Sequence, residues 1–292
     1  MPTALVFPGQ GSQRPGMGAP WRDTPGWQLV REASELVGRD LERLLADADA
    51  DELRATREAQ VATFLTSMLA LRALPDGLDV VAVAGHSLGE LSALVAAGVL
   101  DELDGLRLVV ERGEAMRAAA DARPGTMAAV LGLEWEAAVE VLTDVVDAWP
   151  ANDNAPSHVV VSGTAEGVAA AGAALKDAGA RRVLPLPVGG AFHTPLMEPA
   201  RERLETALGS ASYRPARCPV IANTTALPYE EDVAGTLSQQ LTAPVRWRGS
   251  LLTLPPVDRV VEVGAGGVLT GLVKRTLPGT PVMSFDAPEV EL

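Results

Sequence analysis

Residues 80–89 of the chain read VVAVAGHSLG. Residues 80–84 form a short apolar run rich in valine, which predicts a buried strand. The pattern G-x-S-x-G follows at once, and the next residues are rich in Ala, Leu and Val, which predicts a helix. A strand, a sharp turn carrying serine and a helix in this order are typical of a nucleophile elbow.

Apolar runs of strand length alternate with helical segments on both sides of this turn, which is typical of an α/β protein with a largely parallel sheet. Further core strands are predicted at residues 4–7, 219–222 and 260–263. Helical periodicity is present at residues 26–46, 60–74 and 103–122.

The order of the predicted strands and helices changes between residues 126 and 187. Strands are predicted at 127–133, 159–161 and 182–186, helices at 135–147 and 167–178, and a short extended segment at 151–154. The order β-α-β-β-α-β is that of the ferredoxin-like motif. We therefore expect an α/β-hydrolase-like core with a parallel sheet, made of residues 1–125 and 188–292, and an inserted ferredoxin-like subdomain at 126–187.

Composition narrows the function class. The chain has 292 residues, 47% of them hydrophobic, which suits one large domain with or without a small insert. The net charge of −14 disfavours nucleic acid or an anionic membrane as a partner. No apolar run is long enough for a membrane span, the first ten residues do not resemble a secretory signal, and a single cysteine leaves no internal disulfide. A cytoplasmic location is expected.

Ser87 is the candidate nucleophile, although a serine at this place could also simply cap the helix. A serine hydroxyl needs a base to take its proton, and the chain has three histidines. His86 adjoins Ser87, where neighbouring side chains diverge, and His158 begins a strand of the small subdomain. His193 lies in a glycine-rich loop after a strand, so elimination favours it, although a lone histidine is more often structural.

Arg112 narrows further the range of substrates that the site could take. It lies inside the helix predicted at 103–122, where an arginine is usually solvated. Gly113 beside it costs the helix about 1 kcal/mol relative to alanine, which indicates a close packing contact. A buried guanidinium there could hold a substrate carboxylate in two parallel hydrogen bonds.

Taken together, these motifs resemble the malonyl-CoA:acyl carrier protein transacylases and the related acyltransferase domains of polyketide synthases. The matching stretches cover essentially the whole chain in the family's order and lie at residues 6–13, 85–90, 107–116, 190–193, 240–247 and 261–272. The combination is far more specific than the serine motif alone.

The resemblance implies a role for each matching residue. Ser87 would carry the acyl group as an ester, and His193 would act as general base and then as general acid. A backbone carbonyl near Gln240 would orient the histidine, so no aspartate is needed. The remaining roles are oxyanion-hole N–H groups at Gln10 and Leu88, a carboxylate-binding guanidinium at Arg112, and pocket positions at Gln60, Phe192, Asn152 and Asn154.

The mechanism implied by the family is ping-pong. The serine attacks the thioester of malonyl-CoA, coenzyme A leaves, and the phosphopantetheine thiol of an acyl carrier protein attacks the acyl-enzyme. No bound cofactor or metal is expected, because the carrier protein supplies the phosphopantetheine arm. Phe192 would help to keep water out of the pocket, and the loop Gly190-Ala191-Phe192-His193 goes with malonyl rather than methyl-branched units.

Some positions depart from the family pattern. His158 stands where glutamine is frequent, and Ala265 where proline is usual. The chain is slightly short for the family, whose members are usually monomeric. An acidic carrier would have to dock on a local basic patch, and the candidate cations are Arg181, Arg182, Arg246, Arg248, Lys274 and Arg275.

Three alternatives stay open from the sequence. The chain could be a hydrolase, such as an editing enzyme for acyl carrier proteins, which has no use for Arg112. It could be a non-catalytic carrier-binding module, which the joint presence of Ser87, His193 and Arg112 disfavours. Within the transferase class, it could take another carboxylated extender unit, and it could serve fatty acid synthesis, polyketide synthesis or a malonate decarboxylase.

Overall fold

The computed structural model describes residues 1–291 and contains two separate sheets. The strands are β1 (Thr3–Phe7), β2 (Val80–Gly85), β3 (Thr126–Leu131), β4 (Ala148–Ala155), β5 (His158–Gly163), β6 (Arg182–Pro185), β7 (Val220–Ile221), β8 (Arg259–Val263) and β9 (Val282–Phe285). The α-helices are α1 (Gln28–Val37), α2 (Leu41–Asp47), α3 (Thr56–Arg72), α4 (Gly89–Ala96), α5 (Glu102–Ala122), α6 (Trp135–Leu142), α7 (Ala165–Asp177), α8 (Glu198–Ser210), α9 (Val233–Gln240), α10 (Trp247–Leu252) and α11 (Val268–Thr276). Short 3-10 helices lie at Ala19–Trp21, Pro25–Trp27, Glu52–Arg54 and Pro195–Met197.

The larger sheet is parallel throughout, with the strand order β7-β2-β1-β8-β9. Its central strand β1 is buried on both faces. Alternate side chains of a strand point to opposite faces of the sheet, so they join two different clusters. Leu5 and Phe7 join a hydrophobic cluster with α3, α4 and α5. Ala4 and Val6 join a second cluster with α10 and α11. Covering both faces in this way is what allows an uninterrupted apolar strand to be stable.

The smaller sheet is antiparallel, with the order β4-β5-β3-β6. One face packs against α6 and α7 in a cluster of its own. The other face turns Met127, Ala151 and Val160 toward the main hydrophobic cluster. Backbone hydrogen bonds join β4 to the larger unit, from Asp153 N–H to Val245 O and from Val245 N–H to Ala151 O, each at 2.9 Å. This edge of the small sheet is therefore held next to the larger one.

Several boundaries differ from those predicted from the sequence. The helical periodicity at 26–46 is two helices, because Gly38 ends the first in the left-handed conformation with φ +65° and the Asp40 side chain caps the second. The helix predicted at 135–147 ends at Leu142, and the helix predicted from residue 60 begins at Thr56. Strand β9 was not predicted, since it is short and half-buried at the edge of the sheet.

The parallel sheet decides where a site can form. The carboxyl ends of β1, β2, β7 and β8 meet at one edge, so the loops after them converge. These loops contain Gln10, Ser87, Asn223 and Ala265. No helix within residues 1–291 is long and apolar enough to cross a membrane.

Candidate active site

Ser87 lies on the tight turn between β2 and α4, in the left-handed backbone region with φ +52°. This conformation costs a residue other than glycine about 1–3 kcal/mol. The flanking glycines make the turn possible. A Cβ on Gly85 would lie 1.9 Å from the carbonyl atoms of Gly89, and a Cβ on Gly89 would lie 2.1 Å from the carbonyl oxygen of Phe7. No side chain fits at either position without moving the backbone.

His193 contacts Ser87 directly. Its Nε2 lies 2.8 Å from Ser87 Oγ, and its Nδ1 lies 2.9 Å from the backbone carbonyl oxygen of Gln240. A carbonyl oxygen only accepts, so Nδ1 carries the proton and Nε2 offers its lone pair to the serine hydroxyl. Burial, followed by the charge of Arg112, lowers the pKa of His193 to about 3. The imidazole is therefore neutral at pH 7, which is the form that can accept a proton.

The Arg112 guanidinium is buried beside the same serine, with only 3% of the residue exposed. Its Nη1 donates to Gln60 Oε1 at 2.8 Å, and its Nη2 donates to Gln240 Oε1 and Ser87 Oγ, both at 3.0 Å. Burial lowers the pKa of Arg112 to about 10, so the group stays charged at pH 7. A Cβ on Gly113 would lie 3.3 Å from the Cα of Arg57, so α5 closely approaches α3 beside Arg112.

Asn223 is a site residue that the sequence reading missed. Its Oδ1 accepts from the Ser87 N–H, and its Nδ2 donates to Gly85 O, both at 2.7 Å. Asn223 therefore clamps both sides of the strained turn. The available signal was a polar residue directly after the apolar residues 219–222, at the edge where the serine was expected.

Glu90 is the last residue of the matching stretch 85–90, and the sequence by itself indicates no role for it. It is completely buried in the first turn of α4. Its Oε1 accepts from Tyr229 Oη at 2.6 Å and from the Asn223 N–H at 2.9 Å, and its Oε2 accepts from Gln240 Nε2. Burial raises the pKa of Glu90 to about 7.

A cavity of about 180 Å³ opens onto these groups. One wall carries Ser87, His193, Arg112 and Phe192, and the small sheet supplies Met127, Asn152, Asn154, His158 and Val160 on the other side. The cavity thus lies between the two sheets.

His86 and Asn154 join the two sides of this cavity, since Nε2 of His86 lies 2.8 Å from Asn154 Oδ1. Burial lowers the pKa of His86, so it serves as a neutral hydrogen-bonding group. The Trp247 ring packs edge-on against the imidazole, with the ring centroids 5.5 Å apart. The sequence-based expectation that His86 packs at the turn agrees with this geometry.

The other residues predicted for the site fall around the same cavity. Gln10 lines it, and Gln60 lies behind it on α3, where it holds Arg112. Leu88 is the N-cap residue of α4, and its side chain is buried. Within residues 1–291, neither the Gln10 N–H nor the Leu88 N–H donates to a protein acceptor. Gln10 and Ser87 line the same cavity, and Leu88 directly follows the serine.

Arg248 and His158, which the sequence analysis also considered, both have neighbours in the structure. Arg248, a candidate docking cation, is paired with Glu134, Glu136 and Asp153, which neutralise it. His158 lines the cavity and lies 3.4 Å from Arg275 Nη1. Among residues 1–291, no group of three His, Cys, Asp or Glu side chains is arranged to hold a metal ion.

The chain is similar in sequence to known proteins. The sequence model of the acyl transferase domain family matches its residues 4–284. The malonyl CoA-acyl carrier protein transacylase of Bacillus subtilis strain 168 is 40% identical over 297 residues, which covers 98% of this chain and 94% of that protein. The polyketide biosynthesis protein ThaF of Burkholderia thailandensis is 40% identical over 94% of this chain, which matches 24% of ThaF.

A solved structure gives the same likeness in three dimensions. It shows a malonyl-transacylase in complex with a type II polyketide synthase acyl carrier protein. It superposes with a TM-score of 0.93 at 36% identity and covers 98% of this chain and 96% of that chain.

Proposed function

The chain belongs to the acyl transferase domain family, and from this membership we propose that it transfers a malonyl group from malonyl-CoA to the phosphopantetheine thiol of an acyl carrier protein. Such a transfer serves fatty acid or polyketide synthesis. One observation carries the proposal: Ser87 Oγ lies within hydrogen-bonding distance of both His193 Nε2 and Arg112 Nη2. A nucleophile, its base and a carboxylate-binding cation are thus within reach of one short acyl group.

Acylation begins when Ser87 Oγ attacks the thioester carbonyl while His193 Nε2 takes the hydroxyl proton. The C–S bond then breaks, and His193 returns the proton to the sulfur of coenzyme A. In the second half, the carrier's thiol attacks the serine ester while His193 takes the thiol proton. The ester C–O bond then breaks, and His193 returns that proton to Ser87 Oγ. The neutral imidazole and its fixed tautomer support this role.

The negative charge on the carbonyl oxygen needs donors that are already in place. We assign them to the backbone N–H groups of Gln10 and Leu88, which flank the serine at the ends of β1 and β2. The removal of one such donor typically costs about 3–4 kcal/mol of transition-state stabilisation.

Arg112 is the proposed partner of the free malonyl carboxylate. Gln60 and Gln240 each accept one of its N–H groups, which fixes the plane of the guanidinium. A planar fork held in this way suits bidentate binding of a carboxylate. Phe192, 5% exposed, lines the cavity beside His193 and would help to exclude water from the ester. Asn154, held by His86, would contact the substrate from the small sheet.

The acyl carrier protein is the proposed partner, and coenzyme A thioesters are the substrates. Docking would use Arg181, Arg182, Arg246, Lys274 and Arg275, without the neutralised Arg248. The reaction as written needs no bound cofactor, because the carrier supplies the phosphopantetheine. A monomeric state and a cytoplasmic location stay predictions from the sequence.

We also propose the domain division made from the sequence, with an α/β-hydrolase-like domain at 1–125 and 188–292 and a ferredoxin-like subdomain at 126–187. The serine turn after β2 supports the first description. The order β3-α6-β4-β5-α7-β6 and the antiparallel pairing of these strands support the second.

Intact-mass measurement after mixing with malonyl-CoA tests the function. We expect one added malonyl group, absent in Ser87→Ala, and loss of the adduct when a carrier protein bearing phosphopantetheine is added. Mass gain on that carrier must match the loss. No adduct on the unmodified protein would refute the proposal, and malonate release in place of carrier malonylation would favour the hydrolase alternative.

A further inference from the structure

The carboxylate of Glu90 lies behind the proposed catalytic groups and contacts none of the cavity. It is completely buried and reaches the site through Asn223, whose N–H it accepts, and through Gln240, whose Nε2 donates to Glu90 Oε2 and also to Ser87 O at 2.8 Å. The proposed reaction gives Glu90 no role.

Glu90 and the Ser87 carbonyl together determine which way the Gln240 carboxamide faces. A carboxylate only accepts hydrogen bonds, so the amide nitrogen of Gln240 must point toward Glu90. The amide oxygen is then turned to the other side, where it accepts from Arg112 Nη2 at 3.0 Å. The chain of contacts Glu90, Gln240, Arg112 and Ser87 therefore has a fixed polarity that begins at Glu90.

Glu90 and Arg112 are also opposite charges in one buried region. Burial raises the pKa of Glu90, whereas hydrogen bonds from Tyr229, Gln240 and the Asn223 N–H, and then the charge of Arg112, lower it. An ionised Glu90 balances the arginine, so a malonyl carboxylate bound to Arg112 adds a second negative charge. In a low-dielectric interior, that charge favours protonation of the weaker acid.

We propose that Glu90 is a positioning residue that orients Arg112 through Gln240 and takes up a proton from solvent when a carboxylated acyl group occupies the site. This inference rests on the proposed function. The proton binds at Oε1, because Oε2 faces the Gln240 amide, which can only donate there. The new O–H donates to Tyr229 Oη, whose hydroxyl rotates from donor to acceptor.

The surroundings of Glu90 provide both the charge balance and the proton path. The titratable and charged groups that face it are Tyr229 and Arg112. Tyr229 also lines a groove at the surface, beside Glu230, Glu231 and Asp232. Because Tyr229 lines this groove and its hydroxyl contacts Glu90 Oε1, the path that we propose for the proton runs along the tyrosine and avoids the substrate cavity.

Acylation itself leaves the number of free protons unchanged near pH 7. The serine proton passes through His193 to the coenzyme A sulfur, and a thiol with a pKa of about 8.5 keeps it at that pH. If protons are taken up from solution as the adduct forms, a group other than the serine, His193 and the coenzyme A thiol must bind them. Rapid mixing with malonyl-CoA in a weakly buffered solution with a pH indicator measures this uptake, and intact mass measures the adduct in the same samples.

For the unmodified protein, we expect uptake of a fraction of a proton per malonyl adduct at pH 7, because burial raises the pKa of Glu90 to about 7 and the group is then partly ionised at that pH. Tyr229→Phe removes a hydrogen bond that stabilises the carboxylate. The pH of greatest uptake should therefore move upward in this variant while malonylation persists. Uptake that is independent of pH between 6 and 8 would overturn the proposal.

Glu90→Gln supplies the second comparison. An amide has one acceptor oxygen in place of two, so the NH₂ group at position 90 must face either the Gln240 Nε2 donor or the Asn223 N–H donor, and the contacts that hold Gln240 or the serine turn are disturbed. We expect acylation to slow by about tenfold or more and the uptake to vanish. Malonylation without uptake in the unmodified protein, or the same uptake in Glu90→Gln, overturns this inference and leaves the proposed function intact. Absence of any adduct instead counts against the proposed function.

Discussion

Arg112 Nη2 donates to Ser87 Oγ at 3.0 Å, so the candidate nucleophile lies directly against the cation proposed to hold the substrate. The same hydroxyl contacts His193 Nε2 at 2.8 Å. Three groups from α5, the turn after β2 and the loop before α8 thus meet at one oxygen atom. This spacing suits the proposed substrate, a short acyl group with a carboxylate at its far end.

Arg112→Ala should abolish most malonyl transfer while it spares neutral acyl groups. A hydrogen bond to a charged group contributes about 1.5–3 kcal/mol, so kcat/KM for malonyl-CoA should fall at least tenfold. Arg112→Lys keeps the charge but loses the planar fork. Its kcat/KM for malonyl-CoA should therefore lie between that of the unmodified protein and that of Arg112→Ala. Steady-state transfer from malonyl-CoA and acetyl-CoA measures both. Equal losses for the two substrates would contradict the assignment of Arg112.

Asn223→Ala should loosen the turn that carries the serine. The change leaves the Ser87 N–H without its acceptor and Gly85 O without its donor, and each buried group left unpaired costs about 1–3 kcal/mol. We expect a lower melting temperature and a slower rate of serine acylation. Ser210→Ala, which removes only an exposed hydroxyl contact at the end of α8, is the matched control. A variant with unchanged stability and rate would show that Asn223 does not support the turn.

The buried histidines should make the protein less stable in acid. Burial lowers the pKa of His193 to about 3 and that of His158 to about 4, so the unfolded chain binds more protons than the folded one below the ordinary histidine pKa of about 6.5. Stability should therefore fall as the pH falls from about 6.5 toward 4. Glu90 acts in the opposite direction, because its raised pKa stabilises the fold most at low pH and loses that effect as the pH rises through about 7.

Comparison with His193→Gln isolates the histidine contribution. The variant should show a flatter dependence of the free energy of unfolding on pH between about 4 and 6.5. Denaturant titrations at several pH values provide the measurement. Parallel curves for the two proteins would argue against a neutral, buried His193.

Glu262→Gln should weaken the first turn of α11, which forms part of the cavity wall. The buried Glu262 carboxylate accepts from the N–H groups of Gly267, Leu269 and Thr270 at 2.7–3.1 Å and from Thr270 Oγ1 at 2.7 Å. An amide has one acceptor oxygen in place of two, so about 1–3 kcal/mol of stability should be lost. Because Val268 and Leu269 line the cavity, we expect KM for malonyl-CoA to rise more than kcat falls. Thermal unfolding and steady-state kinetics check this, with Thr270→Val as the smaller perturbation.

The central parts of the fold could be predicted because they are local in sequence. Residues 80–89 contain the apolar strand, the two glycines that allow the tight turn and the start of the helix. Element boundaries were less predictable. Gly38 divides one helical pattern into two helices, and β9 is stabilised by pairing with β8 rather than by its own apolar pattern.

The sequence by itself determined the serine turn, the alternation of strands and helices, and the candidate residues Ser87, His193 and Arg112. Only the tertiary structure decided that these three side chains meet, and that Asn223, Glu90 and Tyr229 support them from behind. The physical reason is one of range. A turn or an apolar period is fixed by neighbours within a few residues, whereas a buried polar group is satisfied by partners that lie more than a hundred positions away and leave no local pattern.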